Sequence, residues 1–127
     1  MADDVYVNFE IKAGNSRTLR FTVENLDVSD ESNLDGATIE WKAIKGRFSK
    51  MEIVPVDGEA TIQKSSTASP GGIQIIDVAA RIFEVQLDPE DTVGLGGNFY
   101  HEAKVTYVNG EAATVARGVM EIIPTIL

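Results

Sequence analysis

The chain has 127 residues, 11 basic against 20 acidic side chains for a formal net charge of −9, a hydrophobic share of 43% and no cysteine. This length fits one domain, residues 1–127, long enough to bury a sizeable core, and the composition is that of a globular chain rather than a disordered one. The charge repels phosphate backbones and anionic lipid surfaces, so neither nucleic acid nor membrane is expected as a partner. The missing cysteines exclude disulfides, thiolate metal sites and thiol nucleophiles. The opening "MADDVYVNFEIKAG" has no basic segment followed by an apolar run, so no secretory leader is expected, and no apolar stretch is long enough for a membrane-crossing helix.

Apolar residues recur with period two, which in a strand places them on one face. Val5, Val7, Phe9 and Ile11 begin the pattern, and after the turn "AGNS" it continues through Leu19, Phe21 and Val23. The acidic stretch "NLDVSDESNLDG" reads as an exposed loop. "ATIEWKAIK" then sets Ala37, Ile39, Trp41 and Ala43 on one side, with Trp41 as the expected centre of the core. "MEIVPV" and "EATIQK" read as short strands about an Asp57-Gly58 turn, Pro55 marking an edge because it cannot donate to a ladder.

"GIQIID" and "RIFEVQL" form a further pair, with Phe83, Val85 and Leu87 aligned. "DPEDTVGLGG" carries helix-start signals: Asp88 as N-cap, Pro89 in the first position, acids in the first turn and glycines ending it. The expectation is an all-β antiparallel sandwich of eight to nine strands with one short helical turn near 89–94.

Asn109-Gly110 between two alternating runs signals a two-residue hairpin. Counting back from it pairs Tyr107 with Ala112, Val105 with Thr114, Ala103 with Ala116, His101 with Gly118 and Phe99 with Met120. On the other face Lys104 meets Val115, Glu102 meets Arg117 and Tyr100 meets Val119. His101, the only histidine, and its neighbour Glu102 therefore project to opposite sides and cannot act as a dyad. His101 is expected to be partly buried, filling space left by Gly118. A three-residue loop with a bulge at Gly110 would shift these pairs.

No other constellation points to catalysis or a cofactor. Asp27, Asp30, Glu31 and Asp35 lack the ligand spacing of a calcium loop and read as a solvated acidic loop. Asp88, Glu90 and Asp91 are better explained by capping than as a carboxylate pair for glycoside hydrolysis. "SPGG" and "GLGG" lack the lysine and long helix of a phosphate loop, and Ser65, Ser66 and Ser69 have only a core-facing histidine as base. The tail "GVMEIIPTIL" stays apolar to the last residue. Ile122, Ile123, Ile126 and Leu127 either close the sandwich as a last strand or dock on a neighbouring subunit.

Three stretches together, "FEIKAGNSRTLRFTV", "LDGATIEWKAIK" and "GGIQIIDVAARIFEVQLDPEDTVGLGGNFYHEAKVTYVNGEAATVARGVMEIIPT", resemble the immunoglobulin-like β-sandwich module of tailed-bacteriophage virion proteins. The chain is similar to N-terminal domains of upper baseplate proteins and to small tail or head accessory proteins. Carrying the likeness are Gly36-Ala37-Thr38, Gly72-Ile73 with Asp77, the Pro89 turn, Tyr100-His101-Glu102, and Gly118. Arg81 departs from it, standing where the family's pattern has a glycine in the turn before Phe83, and "RFSKMEIVPVDGEA" is a longer insertion than expected. The resemblance implies a non-enzymatic virion component without a cofactor. It would be assembled in the reducing bacterial cytoplasm, contact other virion proteins, and form a homo-oligomer or part of a symmetric assembly. The second reading is a carbohydrate-binding module in which Trp41, Tyr6, Tyr100 or Tyr107 stacks on sugars.

Overall fold

The computed structural model describes residues 5–23, 34–49, 52–56, 60–67 and 71–126. Among these residues the strands are β1 (Val5–Tyr6), β2 (Phe9–Lys12), β3 (Arg17–Thr22), β4 (Thr38–Ser49), β5 (Glu52–Pro55), β6 (Ile62–Ser65), β7 (Ile73–Asp77), β8 (Ile82–Leu87), β9 (Gly97–Thr106) and β10 (Ala112–Ile123), with one helical turn, α1 (Pro89–Thr92). The larger sheet runs β1-β10-β9-β4-β5, with β2 also on β10 and β6 also on β4; the smaller is β3-β8-β7. This is an all-β sandwich, antiparallel except that β1 and β2 run parallel to β10.

The alternation read from the sequence decides what lies between the sheets. Leu19 and Phe21 lie opposite Val85 and Phe83 within the smaller sheet, Val23 and Leu87 are buried as well, and Phe21 stacks on Phe83 at 5.1 Å between ring centroids. Across the gap stand Ile39, Trp41 and Ala43 of β4, then Phe99, His101, Ala103 and Val105 of β9. Trp41 is wholly buried. Removing an indole from water takes away on the order of 200 Å², about 5 kcal/mol before the entropy of ordering is counted.

Large and small side chains alternate along the cross-strand rows of this inner face. Trp41 on β4 lies opposite Ala103 on β9, which lies opposite Ala116 on β10; in the next row the order is Ala43, His101, Gly118. Two bulky rings on neighbouring strands thus sit diagonally instead of colliding, the interdigitation a close-packed core requires.

The hairpin between β9 and β10 departs from the two-residue turn. Asn109 does not adopt the positive φ that turn demands, whereas Gly110 does (φ 93°), and Tyr107 N–H donates to Glu111 O at 2.7 Å. The loop therefore has three residues, Val108 to Gly110, and Asn109 Oδ1 accepts the Glu111 N–H at 2.9 Å. The extra residue moves the first pairs by one, so Ala113 opposes Val105 and Thr114 opposes Lys104. A bulge between Thr114 and Ala116 then restores the counted register, and Ala103–Ala116, Glu102–Arg117, His101–Gly118, Tyr100–Val119 and Phe99–Met120 all form. The bulge also turns Val115 inward, where it is buried beside Ala116 instead of facing water opposite Lys104.

A second correction concerns the acidic stretch. Most of it, with the Asp57-Gly58 turn, lies outside the described residues, but Leu34 is fully buried rather than exposed, and its N–H donates to Val78 O at 3.3 Å. Its flanking charges masked an anchor for the loop's end. Pro55 does sit on the edge strand β5, and α1 begins at Pro89 as the capping signals predict, with Asp91 Oδ2 accepting the Asp88 N–H at 2.7 Å.

Arg81 occupies the turn between β7 and β8 in the left-handed region, φ 61°, the one positive-φ residue other than glycine among those described. The site is one that favours glycine. The turn is closed by Asp77 Oδ1 accepting the Ala80 N–H at 2.9 Å, and Arg81 O accepts the Val23 N–H at 2.8 Å. A side chain there costs about 1–2 kcal/mol of steric strain, offset in part by the lower entropy of the unfolded chain. Arg81→Gly is expected to raise stability by about 0.5–1 kcal/mol in denaturant unfolding. A loss of stability would show that the guanidinium's packing outweighs the backbone relief.

Candidate functional site

His101, the first candidate for chemistry, is wholly buried. Its Nδ1 accepts a hydrogen bond from Trp41 Nε1 at 3.2 Å, and its Nε2 lies 2.7 Å from Val7 O. Since indole N–H can only donate and a carbonyl can only accept, the ring is neutral with its proton on Nε2. Phe9 meets the imidazole edge-on, ring centroids 5.2 Å apart. Burial pushes the pKa below the ordinary 6.5, and the bond to Val7 O offsets this only in part.

The partner carbonyl is available because the first strand breaks its ladder here. β1 and β2 keep the same register on β10 (Tyr6 opposite Arg117, Phe9 opposite Met120), and Val7 N–H donates to Arg117 O at 2.8 Å. In a regular parallel ladder Val7 O would next accept the Val119 N–H. Instead Val7 O turns inward to His101, and Asn8 Oδ1 takes the Val119 N–H at 2.9 Å. Gly118 makes the crossing possible, because a Cβ there would overlap Val7 O.

Glu102, next in sequence, stands on the outer face of the larger sheet. It accepts a hydrogen bond from Tyr100 Oη at 2.9 Å, and the register sets it between two cations, Lys42 on β4 and Arg117 on β10. The Arg117 guanidinium lies over the Tyr6 ring at 5.4 Å. Beside this row runs a shallow groove of about 530 Å³ bounded by Lys42, Gln63, Tyr100 and Glu102, with Ile44, Pro55 and Ala60 as its apolar part. Of the aromatic residues weighed for sugar stacking, Trp41 and Tyr107 are buried, while Tyr100 borders the groove and Tyr6 is half exposed.

Several of the remaining sequence candidates among the described residues hold the fold together. Asp91 Oδ2 lies 2.8 Å from Lys64 Nζ, with Asp88 Oδ2 at 3.8 Å, so the acids of α1 hold a buried lysine as well as the turn. Lys64 went unread as an inward residue because lysine is ordinarily wet. Its stem lies under Gly72, where a Cβ would come within 2.6 Å of Lys64 Cδ. Thr92 Oγ1 accepts the Gly14 N–H at 2.9 Å. Ser66 Oγ accepts the Ile39 N–H at 2.9 Å, and Ser65 Oγ is 2.7 Å from Thr67 Oγ1. Asp35 is exposed; Asp27, Asp30, Glu31 and Ser69 lie outside the described residues.

The apolar tail divides. Ile122 is inside the core and Ile123 half-buried at the end of β10, whereas Ile126 is fully exposed and Leu127 lies outside the described residues. Ile122 is thus closed to a partner in this fold. Thr125 Oγ1 donates to Ala13 O at 3.1 Å, which ties the segment beyond β10 to the turn after β2.

Because the folded pKa of His101 lies below its unfolded value, the unfolded chain binds the proton first as pH falls. The His101 contribution is fully present above pH 6.5 and declines between 6.5 and the lower folded value, at about 1.4 kcal/mol per pH unit. Denaturant unfolding of the native chain and of His101→Gln should show this difference in slope; parallel curves would contradict a neutral buried ring. Gly118→Ala should cost at least the upper end of the about 1–3 kcal/mol typical of overpacking, and should release Val7 and Asn8 amides to hydrogen exchange.

No family model matches the chain, and no curated protein is detectably similar to it in sequence.

Proposed function

We propose that the chain is a non-enzymatic structural component of a tailed-phage virion, an immunoglobulin-like tail, baseplate or capsid accessory module that acts through protein–protein contacts. It would be assembled in the bacterial cytoplasm alongside other virion proteins, as a homo-oligomer or within a symmetric particle. The reading rests on the resemblance carried by Gly36-Ala37-Thr38, Gly72-Ile73, the Pro89 turn, Tyr100-His101-Glu102 and Gly118.

The observation that supports it best is the fate of His101: the residue most suited to acid–base work has both ring nitrogens committed inside the core. Arg81 adds to this, since it occupies a glycine-favouring turn where the resemblance implies glycine. Exposed apolar side chains are available for contacts. Ile126 is fully exposed, and Val93 and Phe48 are 64% and 54% exposed.

Mass spectrometry of purified phage particles from the bacterium that carries the gene tests the reading. The protein should be present in fixed ratio to the other virion proteins. Finding it in the lysate but not in particles would refute the assignment. Ile126→Asp, at a position with no burial to lose, should leave the melting temperature unchanged and lower the assembled mass seen by light scattering; an unchanged mass would remove Ile126 from the interface.

A further inference from the structure

We propose that the groove beside Tyr100 and Glu102 binds a neutral saccharide. The groove arises from how the chain runs along the edge of β4. β5 pairs with Gly46–Ser49 of that strand and β6 with Glu40–Ala43, so the two strands lie end to end. Just beyond these strands Val56 N–H donates to Lys45 O and Thr61 N–H to Ala43 O, each at 2.8 Å, which holds Val56 and Thr61 against β4. Pro55 and Ala60 form one wall; the outer face of β6, β4 and β9 forms the floor.

The wall is held in place. Ile53 is buried and lies over Gly46, where a Cβ would come within 2.7 Å of Ile53 Cδ1 and 3.0 Å of the Tyr100 nitrogen. The Tyr100 hydroxyl is held by Glu102 at 2.9 Å, which fixes the ring beside the apolar surface of Ile44 and Pro55. A ring immobilised before binding loses little further entropy when a ligand stacks on it.

The chemistry of the lining selects the ligand class. Lys42 lies directly opposite Glu102 on one side and Gln63 on the other, so a cation, a carboxylate and an amide stand in one row across three strands. Within the lining one cation opposes one carboxylate, Arg117 standing beyond Glu102 outside it, so the groove offers no cluster of like charge to a free ion, while its donors and acceptors suit a ligand rich in hydroxyl groups. An extended peptide would need an open strand edge. Here Lys42 and its neighbours are laddered on both sides, to β6 and to β9, so only side chains can make the contacts. The volume of about 530 Å³ lies within the usual range of small-ligand sites, and its open shape favours a weakly held polar ligand over a deeply buried apolar one.

This inference goes beyond the assembly reading and does not depend on it: a virion protein without sugar affinity would leave that reading intact. Saturation-transfer NMR with the folded chain would use methyl glycosides of glucose, galactose and N-acetylglucosamine, together with lactose and maltose. At least one should receive transfer with a Kd of about 1–10 mM, lost by about tenfold in Tyr100→Ala and by a few-fold in Gln63→Ala, with unfolding midpoints checked for both. Transfer to no probe, or transfer that survives Tyr100→Ala, would overturn the proposal. If Tyr100→Ala does not fold, the exposed Lys42→Ala and Gln63→Ala variants decide it, undiminished transfer in both counting against the groove.

Discussion

The fold turns on a single buried imidazole that must stay neutral. His101 joins three strands: it takes the indole proton of Trp41 on β4, gives its own to the carbonyl of Val7 where β1 passes into β2, and occupies the row between Ala43 and Gly118. Each partner is otherwise a liability. An indole N–H or a carbonyl left unpaired in the core would cost about 1–3 kcal/mol, and both are satisfied by one side chain. Protonation would turn the acceptor nitrogen into a second donor facing Trp41, so the same geometry that pairs these groups also excludes the charged ring.

Around this contact the first strand is reorganised. It keeps its register on β10 but gives up one ladder bond, with Asn8 standing in for the carbonyl that Val7 has turned inward. The absent Cβ of Gly118 is what allows the backbone to approach so closely. A histidine, an asparagine and a glycine far apart in sequence thus form one structural unit, which keeps the His101 ring away from its sequence neighbour Glu102.

Strand alternation links this core to the surface. The pleat that buries Phe99, His101 and Ala103 lifts Tyr100 and Glu102 to the outer face, where Lys42 and Gln63 meet them from neighbouring strands. Rigid packing below gives the outer row a fixed spacing, so any recognition there relies on side chains already held in place. The reading as an assembly module and the reading of the groove therefore concern different parts of one surface, one apolar and terminal, the other polar and central to the sheet.

Period-two patterning was enough to identify most strands and inward faces, the burial of Trp41 and the separation of His101 from Glu102, because alternation is a local property of extended backbone; the break that divides the first apolar run into β1 and β2, giving ten strands rather than eight or nine, was not legible. The cap at Asp88 was legible for the same reason, being set by a few adjacent residues, whereas the glycine-favouring turn at Arg81 was expected only from the family resemblance. What the sequence could not supply came from long-range geometry. The three-residue loop and its compensating bulge, the burial of Leu34, the inward Lys64 held by Asp91, and the bond from His101 to Val7 all depend on which strand lies beside which. The groove at Tyr100 belongs to this second group: its lining comes from β4, β5, β6, β9 and Ala60, which only the packed sheet brings together.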